Sequence, residues 1–238
     1  MRGAAVERAG VLGIMGALDA EVRLIRDDLV GAEELFGPCP MVRGHLDGHE
    51  VVVARCGMGK VNAALAACAL AGAGVDAIVF TGVAGAVAPG LGIGDVVVGE
   101  SFVQHDADDT AFGSAIGQVP GEPARWRGDP DLTAAVLAAA QDSSAGHRVV
   151  SGTIASGDQF IADPAKVSWL RETFGADAVE MEGAALAQAA THLSVPFAVA
   201  RILSDSADGG AARDFPAFLE RAARRDRDLI GHLLCTWG

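Results

Sequence analysis

Short apolar runs alternate along this chain with segments in which apolar residues recur every three or four positions, and that rhythm predicts an α/β domain. Residues 11–15 read as a strand, followed by a helix in which Leu18, Val22, Ile25 and Leu29 fall at helical spacing until Gly31 stops it after Val30. Met41–Leu46 and His49–Arg55 form a predicted hairpin around Asp47-Gly48, a pair favoured in two-residue turns. An Ala-rich helix is expected over 61–71, ended by Gly72, and strands at 77–81 and 95–99 flank a Gly-rich stretch. Residues 105–127 show no clear period and several Gly and Pro, which predicts a long loop, and such loops are usually functional or mobile. Helices then follow at 132–140, Pro164–Phe174 and 183–192, alternating with strands at 148–155, 178–181 and 197–203. In the C-terminal helix Phe218, Leu219, Ala222, Leu229, Ile230 and Leu233 share one face. Without an internal repeat or a linker, the pattern describes one domain over 11–238 behind a flexible N-terminal extension at 1–10.

Charge narrows the class. The 238 residues include 31 Asp+Glu against 18 Lys+Arg, a formal charge of -13, which argues against nucleic acid because phosphate backbones are bound by clustered Lys and Arg. The least charged stretch, 77–94, is interrupted by Gly82, Gly85, Pro89, Gly90, Gly92 and Gly94, so a buried loop-rich segment is expected rather than a membrane span. Residues 1–10 contain no apolar run of the kind a secretory signal needs. Cys39, Cys56, Cys68 and Cys235 are scattered, with no His at ligand spacing, and read as reduced thiols of a cytoplasmic protein without a metal or other cofactor. The arginines Arg213, Arg221, Arg224, Arg225 and Arg227 alternate with Asp214, Glu220, Asp226 and Asp228 and read as a solvated face.

Three groups of carboxylates call for explanation. Glu21 lies one turn from both Leu18 and Ile25, on the apolar stripe of its helix. It either complements the helix dipole or acts as a general base in a partly desolvated cleft. Glu180 and Glu182 flank Met181 at the end of a strand, where alternation sends both to one face; they read as helix caps or as acceptors for adjacent ribose hydroxyls. Asp205 ends an apolar strand, at the edge where open α/β sheets bind ligands and where Asp also serves as a helix cap. The Gly-rich motifs are weak alone: Gly57-Met58-Gly59-Lys60 lacks the spacing of a phosphate loop, and Gly82-Val83-Ala84-Gly85 lacks a dinucleotide fingerprint.

In register, however, these segments resemble the nucleoside phosphorylase/hydrolase superfamily, and most closely its bacterial 5'-methylthioadenosine/S-adenosylhomocysteine nucleosidase branch. The resemblance is carried by Gly13-Ile14-Met15-Gly16-Ala17 with Glu21-Val22, Gly57-Met58-Gly59-Lys60-Val61, Thr81-Gly82-Val83-Ala84-Gly85 and His105-Asp106-Ala107-Asp108 with Thr110-Ala111-Phe112-Gly113. It continues through Ser156-Gly157-Asp158-Gln159-Phe160-Ile161, Val179-Glu180-Met181-Glu182 and Arg201-Ile202-Leu203-Ser204-Asp205. The resemblance implies a three-layer α/β/α domain with a central mixed, twisted sheet, and hydrolysis of the N-glycosidic bond in 5'-methylthioadenosine, S-adenosylhomocysteine and 5'-deoxyadenosine. By the same carry-over Asp205 protonates purine N7 and Glu21 activates water, the division of labour of glycoside hydrolysis. Glu182 would bind the ribose hydroxyls beside the Met181 backbone, with Arg201 near ribose and water and Ser204 orienting Asp205. Phe160 would stack on the purine, the Ile161 backbone would read its edge, and Gly85 would line the base pocket. Phe112 and Pro120 would belong to the loop over the 5'-pocket, completed by the partner's loop near Phe112 in a homodimer, and Met58 would bind substrate.

Phosphorylase relatives hold phosphate with an Arg where this chain has Phe80, so hydrolysis is favoured. The chain departs from the nucleosidases at Val83, where Ser is common, at Leu18, where Met is common, and at Ser114, which replaces an aromatic over the 5'-substituent. These changes bear on the preferred 5'-group. The rival readings are a futalosine or aminodeoxyfutalosine nucleosidase and a nucleoside-binding protein without catalysis, the second of which would be marked by loss of an acid at 21 or 205.

Overall fold

The computed structural model describes residues 10–205 and 215–237. The expected extension at 1–10 falls outside them except for Gly10.

Strand β1 (Leu12–Gly16) lies between β4 (His49–Arg55) and β5 (Ala77–Phe80), parallel to both. Its alternation sorts the layers: Leu12 and Ile14 join a core with α1 (Asp19–Asp27), α3 (Pro130–Asp142) and α6 (Phe215–Leu234), while Met15 joins a core with α2 (Lys60–Gly72) and α5 (Gly183–Leu193). The result is the expected three-layer α/β/α arrangement around a mixed sheet. Ala63, Ala66, Ala67, Ala184, Ala187 and Ala190 are fully buried and let α2 and α5 pack closely over the sheet.

Strands β6 (Val83–Ala86), β7 (Val96–Gln104), β9 (Val149–Ser156) and β10 (Ala178–Glu180) continue the sheet beyond β11 (Phe197–Asp205). Strand β11 pairs with β5 through 197–199, with β7 through 200–202 and with β6 through 202–205, so this half of the sheet closes on itself. Helix α4 (Pro164–Phe174) covers a smaller cluster beside it through Leu170 and Phe174.

Several expectations need correction. Helix α1 ends at Asp27, and Val30–Leu35 forms an antiparallel edge strand, β2, against β3 (Met41–Leu46). That strand is almost entirely exposed, so it carried no alternating signal. The strand expected at 95–99 runs on to Gln104, and β6 lies inside the stretch read as Gly-rich loop. The 105–127 loop contains a single 3-10 turn at Thr110–Phe112 and a two-residue strand, β8 (Trp126–Arg127).

Of the C-terminal charges, Arg213 and Asp214 lie outside the described residues, and the rest do not form one solvated face. Arg227 bridges α6 to Asp28 at 2.7 Å and to Asp47 at 3.0 Å, and Arg225 donates to the Gly94 carbonyl at 2.5 Å. Asp226 is 0% exposed, and neither carboxyl oxygen has a hydrogen-bond partner among the described residues. Burial pushes this carboxyl well above the usual aspartate range, with the Glu21 charge adding to it and Arg201 and Arg225 opposing.

Folding therefore moves the loss of the Asp226 proton to higher pH than in the unfolded chain, which releases it above about pH 4. Wild-type stability is expected to fall as pH rises through that window, by up to about 1.4 kcal/mol per pH unit relative to Asp226→Asn. Urea titrations at pH 4.5 and pH 8 check this: the variant should gain over wild type only at pH 8, and an equal gap at both would contradict a protonated Asp226.

Candidate active site

Glu21 enters the site because the chain turns sharply into α1. Its Oε2 accepts the backbone N–H groups of Ala17 at 2.7 Å and Leu18 at 2.8 Å, and its Oε1 accepts that of Val83 at 3.0 Å. The side chain thus serves the start of α1 and also reaches the cavity wall. Gly82 makes room for it: with φ at +151°, a Cβ there would lie 2.5 Å from Glu21 Oε1. Burial raises the Glu21 carboxyl above the ordinary range, although Arg201 and the three N–H donors pull the other way.

The second group is built around β10 and the start of α5. Strand β10 stops at Glu180, so the two-residue alternation does not extend to Glu182, and the two side chains take separate partners. Glu180 turns inward, accepts the N–H groups of Glu182 and Gly183 at the start of α5, and receives the Ser156 hydroxyl. It also pairs with Arg201, Nη2 to Oε2 at 2.7 Å, where both side chains are almost fully buried. The Arg201 guanidinium lies 3.8 Å over the Phe80 ring, a cation–π contact in a desolvated setting. Glu182 instead accepts the Gly59 N–H at 2.6 Å, at the N-terminus of α2. Its carboxyl is pushed up to about 7 by burial and by the Glu180 charge, against Arg201 and the Gly59 hydrogen bond.

Glu21, Glu180 and Glu182 border a cavity of about 420 Å³, within the range of small-molecule sites. Phe160, Ile161 and Met58 supply apolar surface to its wall, and Gly85 and Val83 lie where the β6 backbone is open to a ligand. No Lys, Arg or His is among its described lining residues. The described residues also hold no group of three or more His, Cys, Asp or Glu arranged for a metal.

Residues 11–234 match the family model described as "Phosphorylase superfamily". The chain belongs to that superfamily. It is 42% identical over 224 residues to the 5'-methylthioadenosine/S-adenosylhomocysteine nucleosidase of Geobacillus kaustophilus, covering 93% of this chain and 95% of the relative. Among solved structures it resembles the nucleosidase of that name from Colwellia psychrerythraea, determined in complex with adenine: TM-score 0.90 and 38% identity, over 97% of this chain and 96% of that one. It is also similar to a futalosine hydrolase of Helicobacter pylori, with TM-score 0.87 and 32% identity over 95% and 98% of the two chains. Within the phosphorylase superfamily these likenesses place the chain in the methylthioadenosine/S-adenosylhomocysteine nucleosidase branch.

For a member of this superfamily, the residues singled out from sequence lie as follows. Glu21, Met58, Gly85, Phe160, Ile161, Met181, Glu182 and Ser204 line the cavity, and the Ser204 hydroxyl donates to the Ala84 carbonyl at 3.2 Å. Arg201 lies behind the wall rather than in it, engaged by Glu180. Phe112 and Pro120 are exposed on the 105–127 loop and do not line the cavity of this single chain. The backbone of Asp205 pairs with Gly85 at the cavity edge, and its side chain falls outside the described residues. Sequence reasoning carried Glu182 forward and left out Glu180; the signal was present in the paired acids, but the partner Arg201 is 21 positions away. It also missed Leu219 of α6, which reaches the cavity from the helix face expected to be wholly core.

Breaking a buried ion pair from one side leaves the other charge unmatched and costs about 3–5 kcal/mol. Glu180→Gln is therefore expected to lose ~3 kcal/mol of stability in urea denaturation at pH 7. A loss under ~1 kcal/mol would mean that Arg201 is held by other groups.

Proposed function

We propose that this chain is an N-glycosyl hydrolase that cleaves 5'-methylthioadenosine and S-adenosylhomocysteine, and also 5'-deoxyadenosine, releasing adenine and the 5'-substituted ribose. The observation that carries the reading is the pair of buried carboxylates, Glu21 and Glu182, facing an apolar, aromatic wall across one cavity. The reaction passes through a ribosyl group with oxocarbenium character, so negative charge near the sugar stabilises the transition state more than the ground state.

In this mechanism Glu21, held by three backbone N–H groups and raised by burial, accepts a proton from the attacking water. Asp205, at the end of β11, gives a proton to purine N7 as the C1'–N9 bond breaks. Glu182 has one oxygen engaged by Gly59 and accepts the ribose hydroxyls with the rest of its capacity. Phe160 stacks on the purine, the backbone of Ile161 reads its edge, and Arg201 tunes the carboxylates from behind the wall. Water is favoured over phosphate as the nucleophile because Phe80 fills space under Arg201 and no cationic side chain is among the described lining residues.

A homodimer belongs to the same proposal. Met58, Val61, Leu65 and Phe112 are exposed large apolar residues, and Phe112 of a second copy would cover the outer end of the cavity. The four free cysteines fit a reducing, cytoplasmic setting. A futalosine-type substrate is the second reading, favoured by the likeness to the Helicobacter pylori enzyme and by Ser114, where a small side chain leaves the 5'-end less covered.

Incubation with each nucleoside in phosphate-free buffer should release adenine from methylthioadenosine. Turnover of a futalosine without adenine release from methylthioadenosine would favour the second reading, and dependence on added phosphate would indicate a phosphorylase. Glu21→Gln and Asp205→Asn should each lower kcat by at least ~100-fold, the usual scale for losing general acid–base help. Near-normal kcat in either variant would remove that residue from its role.

A further inference from the structure

The motif Gly57-Met58-Gly59-Lys60 is not a phosphate loop, and the Lys60 side chain does not line the cavity. Its ammonium, mostly buried, donates to Asp106 Oδ1 at 2.7 Å and to Gln104 Oε1 at 3.0 Å, at the end of β7. The other Asp106 oxygen accepts the Asp158 N–H at 2.9 Å, and the Asp158 carboxylate accepts the Lys60 N–H at 2.8 Å. These bonds close a ring through three chain segments: the start of α2, the end of β7 and the loop that follows β9. Gln104 extends it by donating to Gln188 of α5 at 2.7 Å.

The ring is bracketed by ligand-facing groups on both sides. One residue before Lys60, the Gly59 N–H holds Glu182, and two residues before it Met58 lines the cavity. Two and three residues after Asp158, Phe160 and Ile161 form the apolar wall. Gly59 has φ at +98°, and a Cβ there would lie 3.0 Å from Asp158 Oδ1, so the two segments approach as closely as a residue without a side chain allows.

We infer that Lys60 is a positioning residue for the nucleoside: through Asp106 and Asp158 it fixes the spacing between the Glu182 carboxylate, which takes the sugar, and Phe160, which takes the base. The inference rests on the function proposed above. Its chemistry is consistent with a permanently charged tie. Burial raises the Asp106 carboxyl, but the Lys60 ammonium and the Asp158 N–H outweigh that and hold it below the usual range, so Asp106 stays ionised across neutral pH. A nucleoside spans both ends of the cavity, and small misplacements of groups away from the bond being broken slow an enzyme severely. Lys60 is also the first residue of α2, so loosening it frees the turn that presents the Gly59 N–H to Glu182.

The test compares wild type, Lys60→Met, Lys60→Arg and Asp106→Asn for kcat and KM on methylthioadenosine between pH 5.5 and 9, with thermal unfolding measured alongside. Lys60→Met should raise KM about tenfold or more, a spacing effect of the kind expected from ~1 Å misplacements. It should also move the acid limb of kcat/KM to higher pH, because Glu182 loses part of the hydrogen bond that favours its charged form. Lys60→Arg should restore most of both, and Asp106→Asn should fall between. Wild-type KM and an unmoved acid limb in folded Lys60→Met overturn the inference, as does a loss confined to unfolding temperature. If Lys60→Met fails to fold, Asp106→Asn carries the same decision, with wild-type KM and an unmoved acid limb again overturning the inference. Inactive wild type would instead overturn the proposed function, which keeps the two failures distinct.

Discussion

A guanidinium carried to full burial on β11 has to be matched in charge and shape; the Glu180 carboxylate takes its Nε and Nη2 and the Phe80 ring its face, while Nη1 has no hydrogen-bond partner among the described residues. Glu180 satisfies the Arg201 charge while also holding the first N–H groups of α5, so one carboxylate joins the sheet, the helix start and the cation. What remains of the Arg201 field reaches Glu21 and Glu182 only in part. Burial raises both carboxyls, and Arg201 opposes it without cancelling it; raised carboxyls exchange protons more readily at neutral pH than ones held strongly acidic. The Glu180–Arg201 pair thus sits beside two buried acids whose burial it only partly offsets.

The cavity illustrates how small residues serve both packing and chemistry. Alanines bring α2 and α5 close to the sheet, which places the N-terminus of α2 within hydrogen-bond distance of Glu182. Gly82 lets the β5–β6 turn pass against Glu21 without displacing it. Glu21 and Glu182 are thus held by backbone donors rather than by long flexible side chains, an arrangement that reduces the reorganisation needed when a ligand enters.

Much of this was legible in the chain because buried elements carry strong periodicity. The hairpin at Asp47-Gly48 and helix α4 fall where their turn and cap residues put them, with Gly175 in the left-handed conformation ending α4. Glu21 was legible as an acid on an apolar stripe. Strand β2 was not, since an exposed edge strand needs no alternation, and Asp226 was not, since charged neighbours on both sides masked one buried position on α6. The Lys60 ring was hidden for another reason: its members lie 46 and 98 residues apart in sequence, and only the tertiary fold brings them together.

Strand β11 pairs with β5, β6 and β7 and carries Arg201, Ser204 and Asp205. A segment tied to three neighbours cannot come loose by itself; it opens only when much of the sheet opens with it. Substitutions in this strand consequently confound two quantities, the amount of native enzyme present and the rate of each native molecule. Kinetic comparisons along β11 acquire meaning only when normalised to the folded fraction, whereas changes on the cavity side of the exposed loops can be compared directly.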